Sequence, residues 1–201
     1  ISKKLELESV NSIVEALEEI RPTLVIHAAG LTSVERCESA PILAAHVNVE
    51  LARNVARACS EQGIKLVHIS TDHIFSGSHM LAMEEQAASP LNIYARTKAE
   101  AEKVVLHENP QSLIIRTNFY GWGPRYRQSF SDSIISSLRS NKSLKLFNDV
   151  FYTPILVEEL VFAVNELVNL KAYGVFNVVG DERISKYEFG LRIANAFGLD
   201  E

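Results

Sequence analysis

The chain has 201 residues, 47% hydrophobic and 22% charged, and a formal net charge of −5, the balance of an ordinary globular protein with one sizeable core and room for a small second lobe. Acids and bases are mixed without a basic run or arm, which argues against nucleic acid as a partner. The longest apolar runs, such as 24–29, are far too short to cross a bilayer, so no membrane role is expected.

In chain order, a charged stretch from Lys3 to Glu8 opens the sequence instead of a secretory signal. Apolar residues at 10, 13, 14, 17 and 20 then predict an amphipathic helix over 10–20. Leu24-Val25-Ile26-His27-Ala28-Ala29 is the first of four nearly continuous apolar runs; the others lie at 65–70, 112–117 and 174–179. Continuous hydrophobicity is the habit of strands buried on both faces, as in a parallel sheet covered by helices. Helices are predicted over 40–62, stopped by Gly63, over 94–107, between Pro90 and Pro110, over 128–139 and over 157–170. This alternation predicts an α/β fold with a doubly wound, Rossmann-like parallel sheet. Character changes after Thr117. Residues 118–127 are rich in Gly, aromatic and Arg residues, and 141–154 is irregular. We therefore divide the chain into a first domain over 1–120 and a smaller lobe over 121–201, interleaved with the last sheet strand, 174–179.

A dinucleotide-binding sheet opens with a strand and a glycine-rich turn that cradles the pyrophosphate. Here no glycine cluster precedes a helix, and the first of nine glycines is Gly30. The helical stripe running straight into Leu24 favours a sheet truncated at its amino-terminal end, with that turn upstream of Ile1. Cys37 and Cys59 lack metal-ligand spacing and read as small buried residues; free thiols fit a reducing cytoplasm. The histidines at 27, 46, 68, 73, 79 and 107 show no ligand spacing, so no metal is expected. His27 and His68 read as core or site-lining residues, and His73 and His79 as cleft or loop surface.

Three features carry chemistry. Ser70-Thr71-Asp72 stands where a strand ends, and open α/β sheets bind ligands beyond the carboxyl ends of their strands. Tyr94 and Lys98, four apart at the start of a helix, share one face. Ala28-Ala29-Gly30 follows another strand end, where small side chains let a cofactor approach the backbone. A free phenol, with a pKa of about 10, exchanges protons poorly at neutral pH. An ammonium one turn away favours the phenolate and is expected to bring that value toward the working pH. A hydroxyl such as Thr71 can polarise a substrate carbonyl. Tyr-x-x-x-Lys alone is a weak signal; its spacing from the two strand ends strengthens it.

Taken together, Val25-Ile26-His27-Ala28-Ala29-Gly30, Val47-Asn48-Val49, His68-Ile69-Ser70-Thr71-Asp72-His73-Ile74-Phe75-Ser76-Gly77, Pro90-Leu91-Asn92-Ile93-Tyr94-Ala95-Arg96-Thr97-Lys98 and Arg116-Thr117-Asn118-Phe119-Tyr120-Gly121 resemble the dTDP-4-dehydrorhamnose reductases, extended short-chain dehydrogenases/reductases. The resemblance is ordered and covers nearly the whole chain. It implies reduction of a 4-keto-6-deoxy nucleotide sugar by NADPH or NADH, NADPH favoured, in the cytoplasm, with a homodimer left open. It makes Tyr94, Lys98 and Thr71 the catalytic set. It places Ala29, Gly30, Leu31, Thr32 and Ile69, with Tyr94 and Lys98, against the cofactor. Asp72 and Phe119, with Thr71 and Tyr94, would contact the substrate, and Asn48 lies near the site or packs its helix. Residues 1–120 are then the NAD(P)-binding part and 121–201 the substrate lobe. Departures fall on the substrate side: His73 for a usual tyrosine, Ala95 for a glycine, Phe119 for a tryptophan, and the stretch Asn148 to Pro154. Arg125, Arg127, Lys142 and Lys145 read as diphosphate contacts or surface charge, and Trp122 and Tyr126 as base-stacking or lobe-covering rings. Two alternatives stay open. One is an epimerase or dehydratase of the same superfamily. The other is a non-catalytic regulatory subunit like the β subunit of methionine adenosyltransferase.

Overall fold

A computed structural model describes residues 5–77, 81–124 and 128–200. The readings of Lys3, His79, Arg125, Tyr126 and Arg127 fall outside these residues. The elements in order are α1 (Val10–Ile20), β1 (Leu24–His27), α2 (Val34–Ser39), α3 (Pro41–Ala45), a π-helical turn (His46–Glu50), α4 (Leu51–Glu61), β2 (Lys65–Ile69), a 3-10 turn (Asp72–Ile74), α5 (Ile93–Glu108), β3 (Leu113–Arg116), β4 (Phe119–Tyr120), α6 (Phe130–Arg139), β5 (Phe151–Tyr152), β6 (Ile155–Leu156), α7 (Val157–Asn169), β7 (Gly174–Asn177), β8 (Ile184–Ser185) and α8 (Lys186–Phe197). Among the described residues no helix is long and apolar enough to cross a membrane.

The chain forms two compact units, Ile1–Arg116 with Lys171–Asn177, and Thr117–Leu170 with Val178–Glu201. The division falls after Arg116, where composition alone puts it at 120.

In the first unit, β1, β2, β3 and β7 form one parallel sheet in that order. This is the Rossmann-like α/β architecture that the apolar runs predict. The interior strands β2 and β3 are buried almost throughout, which explains their unbroken hydrophobicity. Ile13 and Leu17 of α1, Val55 and Cys59 of α4 and Val105 of α5 meet Leu66 and Ile114 of the sheet in one core. Each such side chain contributes about 1.5–3 kcal/mol on full burial, far more than residue-by-residue helix propensity. Every strand is shorter than its apolar run. Ala28-Ala29 and Thr71 leave the ladder at the carboxyl edge, where their backbone can face a ligand, while the Ser70 amide still donates to the Ile115 carbonyl at 2.7 Å.

The helix predicted over 40–62 is interrupted. The π-helical turn carries Asn48, which is buried and bonds three groups outside its own helix. Such turns interrupt the ordinary helical ladder and recur at functional sites. Gly63 does end α4, in a left-handed conformation at φ 62°. Two helices escape the periodicity reading. α2 is too short to show a period. α8 opens with a reciprocal cap between Ser185 and Glu188, a Ser-x-x-Glu signal that is present in the sequence.

In the second unit β4 pairs with β6 in parallel and β5 with β8 antiparallel. Ile134, Ile135, Tyr152, Ile184, Phe189 and Ile193 form its core. The Phe189 ring stands edge-on to Tyr120 and Tyr152 and stacks on Phe130. Gly180 lies so close to the Pro154 carbonyl that a Cβ would collide with it. Gly180→Ala is therefore expected to cost about 1–3 kcal/mol, as overpacking against backbone does. A urea midpoint equal to that of the wild type would show that the segment yields without cost.

Candidate active site

The site begins with the capping of α5. Asn92 precedes the helix, and its side-chain oxygen accepts from the Ala95 amide at 2.8 Å. A Glu38 carboxylate oxygen on α2 accepts from the Ile93 amide at 2.7 Å. Two of the four first-turn amides that no helical carbonyl can reach are thus paired, and a negative charge meets the positive end of the helix. Tyr94 sits between these caps, so its backbone is fixed from both α2 and Asn92. Lys98 follows one turn later.

Tyr94 is half-buried, and the Thr71 hydroxyl stands close enough to its phenol to favour the phenolate. Thr71 is buried at the carboxyl end of β2, and its oxygen also accepts from the His73 amide at 3.2 Å. The His73 ring stands edge-on to the phenol, 5.8 Å between centroids. Burial raises the phenol's pKa. The Thr71 hydroxyl opposes this, and the nearby Asp72 carboxylate and Cys37 thiol add to it.

Lys98 does not sharpen the phenol as its spacing predicts: it is absent from the groups that shift the Tyr94 pKa, which burial raises. The ammonium donates to the Ile69 carbonyl at 2.7 Å and lies 3.4 Å from Nε2 of His68. Its stem runs from α5 to β2, so its charge serves the strand and not the phenol. Burial lowers the pKa of Lys98 from 10.5 to about 8, against the pull of the Glu102 carboxylate. This shift has a consequence for stability. The folded protein releases the Lys98 proton before the unfolded chain does, so stability rises as pH climbs from about 8 to 10.5. The rise attributable to Lys98 is about 3 kcal/mol. Tyr94 and Cys59, both raised, act in the opposite sense at alkaline pH. The measurement is therefore the difference between wild type and Lys98→Met in urea midpoints across that window. A difference that does not change with pH would refute it.

Glu102, one turn beyond Lys98, is buried and accepts from the Ser70 hydroxyl. Arg116 of β3 grips the same carboxylate, with Nη2 2.8 Å from Oε2 and Nε within 3.2 Å of both oxygens, and donates through Nη1 to the Glu84 carbonyl at 2.9 Å. Neither residue was among the sequence candidates, although the Lys98–Glu102 spacing on one helix face is visible in the sequence.

At the end of β1, Ala29 and Thr32 are exposed, while Gly30 and Leu31 are half-buried. Asn48 takes both backbone groups of Leu31: its Oδ1 accepts from the amide at 2.7 Å, and its Nδ2 donates to the carbonyl at 3.1 Å and to the Thr97 hydroxyl at 2.9 Å. A Cβ on Gly30 would stand 3.1 Å from that Oδ1, so the room at Gly30 accommodates Asn48. The structure thus joins Thr71, Asp72 and Tyr94 in one group, and Lys98 with Ile69 and His68 in a second beside it. Phe119, 52% exposed, belongs to the second unit.

A parallel Rossmann-like sheet whose strand-end threonine meets the tyrosine of a Tyr-x-x-x-Lys helix defines a nucleotide-sugar reductase-like protein of the short-chain dehydrogenase/reductase class. The chain belongs to the family described as RmlD substrate binding domain, whose model matches residues 1–201. It is 30% identical over 202 residues to a "probable low-salt glycan biosynthesis reductase", Agl14, of Haloferax volcanii, covering 98% of this chain and 67% of that protein. It is 28% identical over 204 residues to methionine adenosyltransferase 2 subunit beta of Bos taurus, covering 98% and 61%. Among solved structures, dTDP-4-dehydrorhamnose reductase from Bacillus anthracis in complex with NADP matches with a TM-score of 0.90 at 30% identity, over 100% of this chain and 71% of that one. The chain spans 61 to 67% of the length of the two curated relatives.

Proposed function

We propose that the protein reduces the keto group of a 4-keto-6-deoxy nucleotide sugar, using NADPH and taking the proton from Tyr94. The observation that carries this is the Thr71 hydroxyl beside the Tyr94 phenol at the carboxyl end of β2, with Lys98 one turn further along α5. The residues fit a nicotinamide nucleotide. Of the three ammonium donors of Lys98, Ile69 and His68 engage two, which leaves one for a ribose hydroxyl. The small residues Ala28, Ala29 and Gly30 stand at the neighbouring strand end, and the Bacillus anthracis relative was solved with NADP. The bound nicotinamide supplies the hydride. Tyr94, its pKa raised by burial, keeps its proton at neutral pH, which is the form a donor to a developing alkoxide needs. The Thr71 hydroxyl holds the carbonyl oxygen beside the phenol and polarises it. Asp72, next to Thr71, contacts the sugar nucleotide. The test follows absorbance at the NADPH maximum in the presence of the protein. Consumption that starts only on adding a 4-keto nucleotide sugar supports the reading, and absence of consumption with every such sugar overturns it.

A second reading, a binding subunit without turnover, draws on the similarity to the bovine β subunit over 98% of the chain and on a phenol that Lys98 does not acidify. NADPH binding without turnover, together with capture of a methionine adenosyltransferase catalytic subunit, would favour it.

A further inference from the structure

Behind Lys98 lies a buried cluster that the proposed chemistry does not use. His68, on β2, is fully buried, and His27, on β1, is 6% exposed. Their Nδ1 atoms are 3.0 Å apart, and Nε2 of His68 is 3.4 Å from the Lys98 ammonium. The two residues are register partners on adjacent parallel strands, so the backbone itself sets this pair.

We infer that His68 is a positioning residue that holds the Lys98 ammonium at the cofactor side of the site, and that His27 sets the tautomer His68 needs to do so. The proton bookkeeping allows one arrangement. A lysine ammonium has donors only, so Nε2 of His68 must accept. Its single proton then sits on Nδ1 and is donated to Nδ1 of His27. The proton of His27 is therefore on Nε2, a buried atom that finds no partner among the described residues. The reverse direction would aim an N–H of His68 at a cation. Both rings stay neutral, because burial and the Lys98 charge lower both pKa values, that of His27 to about 4. A positively charged ring in either place would repel the ammonium it is meant to hold.

The groups facing Lys98 are the Ile69 carbonyl and His68 from β2, with His27 behind it on β1, and Glu102 from α5, with Arg116 of β3 on the far side of Glu102. Of the side chains among these, only His68 accepts from the ammonium while carrying no charge, and removing it leaves the Ile69 carbonyl and the carboxylate's pull unchanged. The inference rests on the reading that Lys98 serves the site beside Tyr94, but its test needs no cofactor and no substrate.

Imidazole nitrogen-15 spectra of the wild-type protein at pH 7 report the tautomers directly, which coordinates alone do not. The expected result is the Nδ1–H form at His68 and the Nε2–H form at His27. An Nε2–H proton at His68 overturns the inference. In His68→Phe, the titration midpoint of the Lys98 ammonium, about 8 in the wild type, is expected to fall by about one pH unit, the effect of losing one hydrogen bond to a charged group. His68→Gln, whose carbonyl can accept in place of Nε2, is expected to restore it. An unchanged midpoint in a folded His68→Phe protein would show that the ring only fills space. Should His68→Phe fail to fold, the wild-type tautomers and the Gln variant still decide. Loss of the reductase reading with the expected tautomers in place would leave the imidazole pair standing as a holder of Lys98.

Discussion

Tyr94→Phe should lower turnover of a keto nucleotide sugar by about two to four orders of magnitude, the usual contribution of a positioned general acid, with NADPH affinity little changed. The substitution removes one oxygen and keeps the ring. The edge-on contact with His73 and the caps from Asn92 and Glu38 that fix the backbone all survive. Thr71 keeps its hydrogen bond from the His73 amide, so its hydroxyl is not stranded. What disappears is the phenol proton beside that hydroxyl. The raised pKa of Tyr94 also bears on the pH dependence: the phenol keeps its proton across neutral pH and loses it only above the ordinary phenol range. Steady-state kinetics with a fluorescence titration of NADPH separates the two quantities. Wild-type turnover in the variant would remove Tyr94 from the chemistry, and a loss of cofactor affinity equal to the loss of turnover would mean that the ring, not the proton, is what matters.

Glu102→Leu is expected to lower the stability of the protein by about 3–5 kcal/mol, the cost of leaving a buried charge without its partner. The fork of Arg116 grips Glu102 with both side chains more than nine-tenths buried, and the Ser70 hydroxyl joins the same carboxylate. Removing the acid strands the guanidinium, which among the described residues keeps the Glu84 carbonyl and the face of Phe75. It also frees Ser70, the residue before Thr71. Glu102→Leu with Arg116→Met, which removes both charges and retains volume, should recover most of the loss, because a buried pair contributes little net stability against a well-packed apolar replacement. Urea unfolding of the two variants measures this. A single variant as stable as the wild type would show that water reaches Arg116.

The fold and the candidate site residues were legible in the sequence for different reasons. Strands buried on both faces must be continuously apolar, so 65–70 and 112–117 announced an interior parallel sheet. Tyr94 and Lys98 share a face because a helix returns every 3.6 residues, and Thr71 could be placed because ligands meet such sheets at their carboxyl edge. The family motifs pointed to the family that the comparisons show. What the sequence could not disclose was the direction in which Lys98 points. A spacing of four residues permits the ammonium to reach back to the phenol or across to β2, and the choice depends on an Ile69 carbonyl and a His68 ring some 30 residues earlier in the chain. Residues 40–62 read as one helix for a similar reason, because the pull on Asn48 comes from Leu31 and Thr97, far from it in sequence.

Local periodicity and strand-end motifs by themselves determined the α/β class and the positions of the four sheet strands, and singled out Thr71, Tyr94 and Lys98 as candidates, since each depends on neighbours within a few residues. Only the tertiary structure decided the partners of the buried charges: Lys98 with Ile69 and His68, Glu102 with Arg116 and Ser70, His27 with His68. A desolvated charge or ring nitrogen takes whichever group of opposite hydrogen-bonding character the packed strands and helices bring within about 3 Å, and that proximity is a property of the assembled sheet.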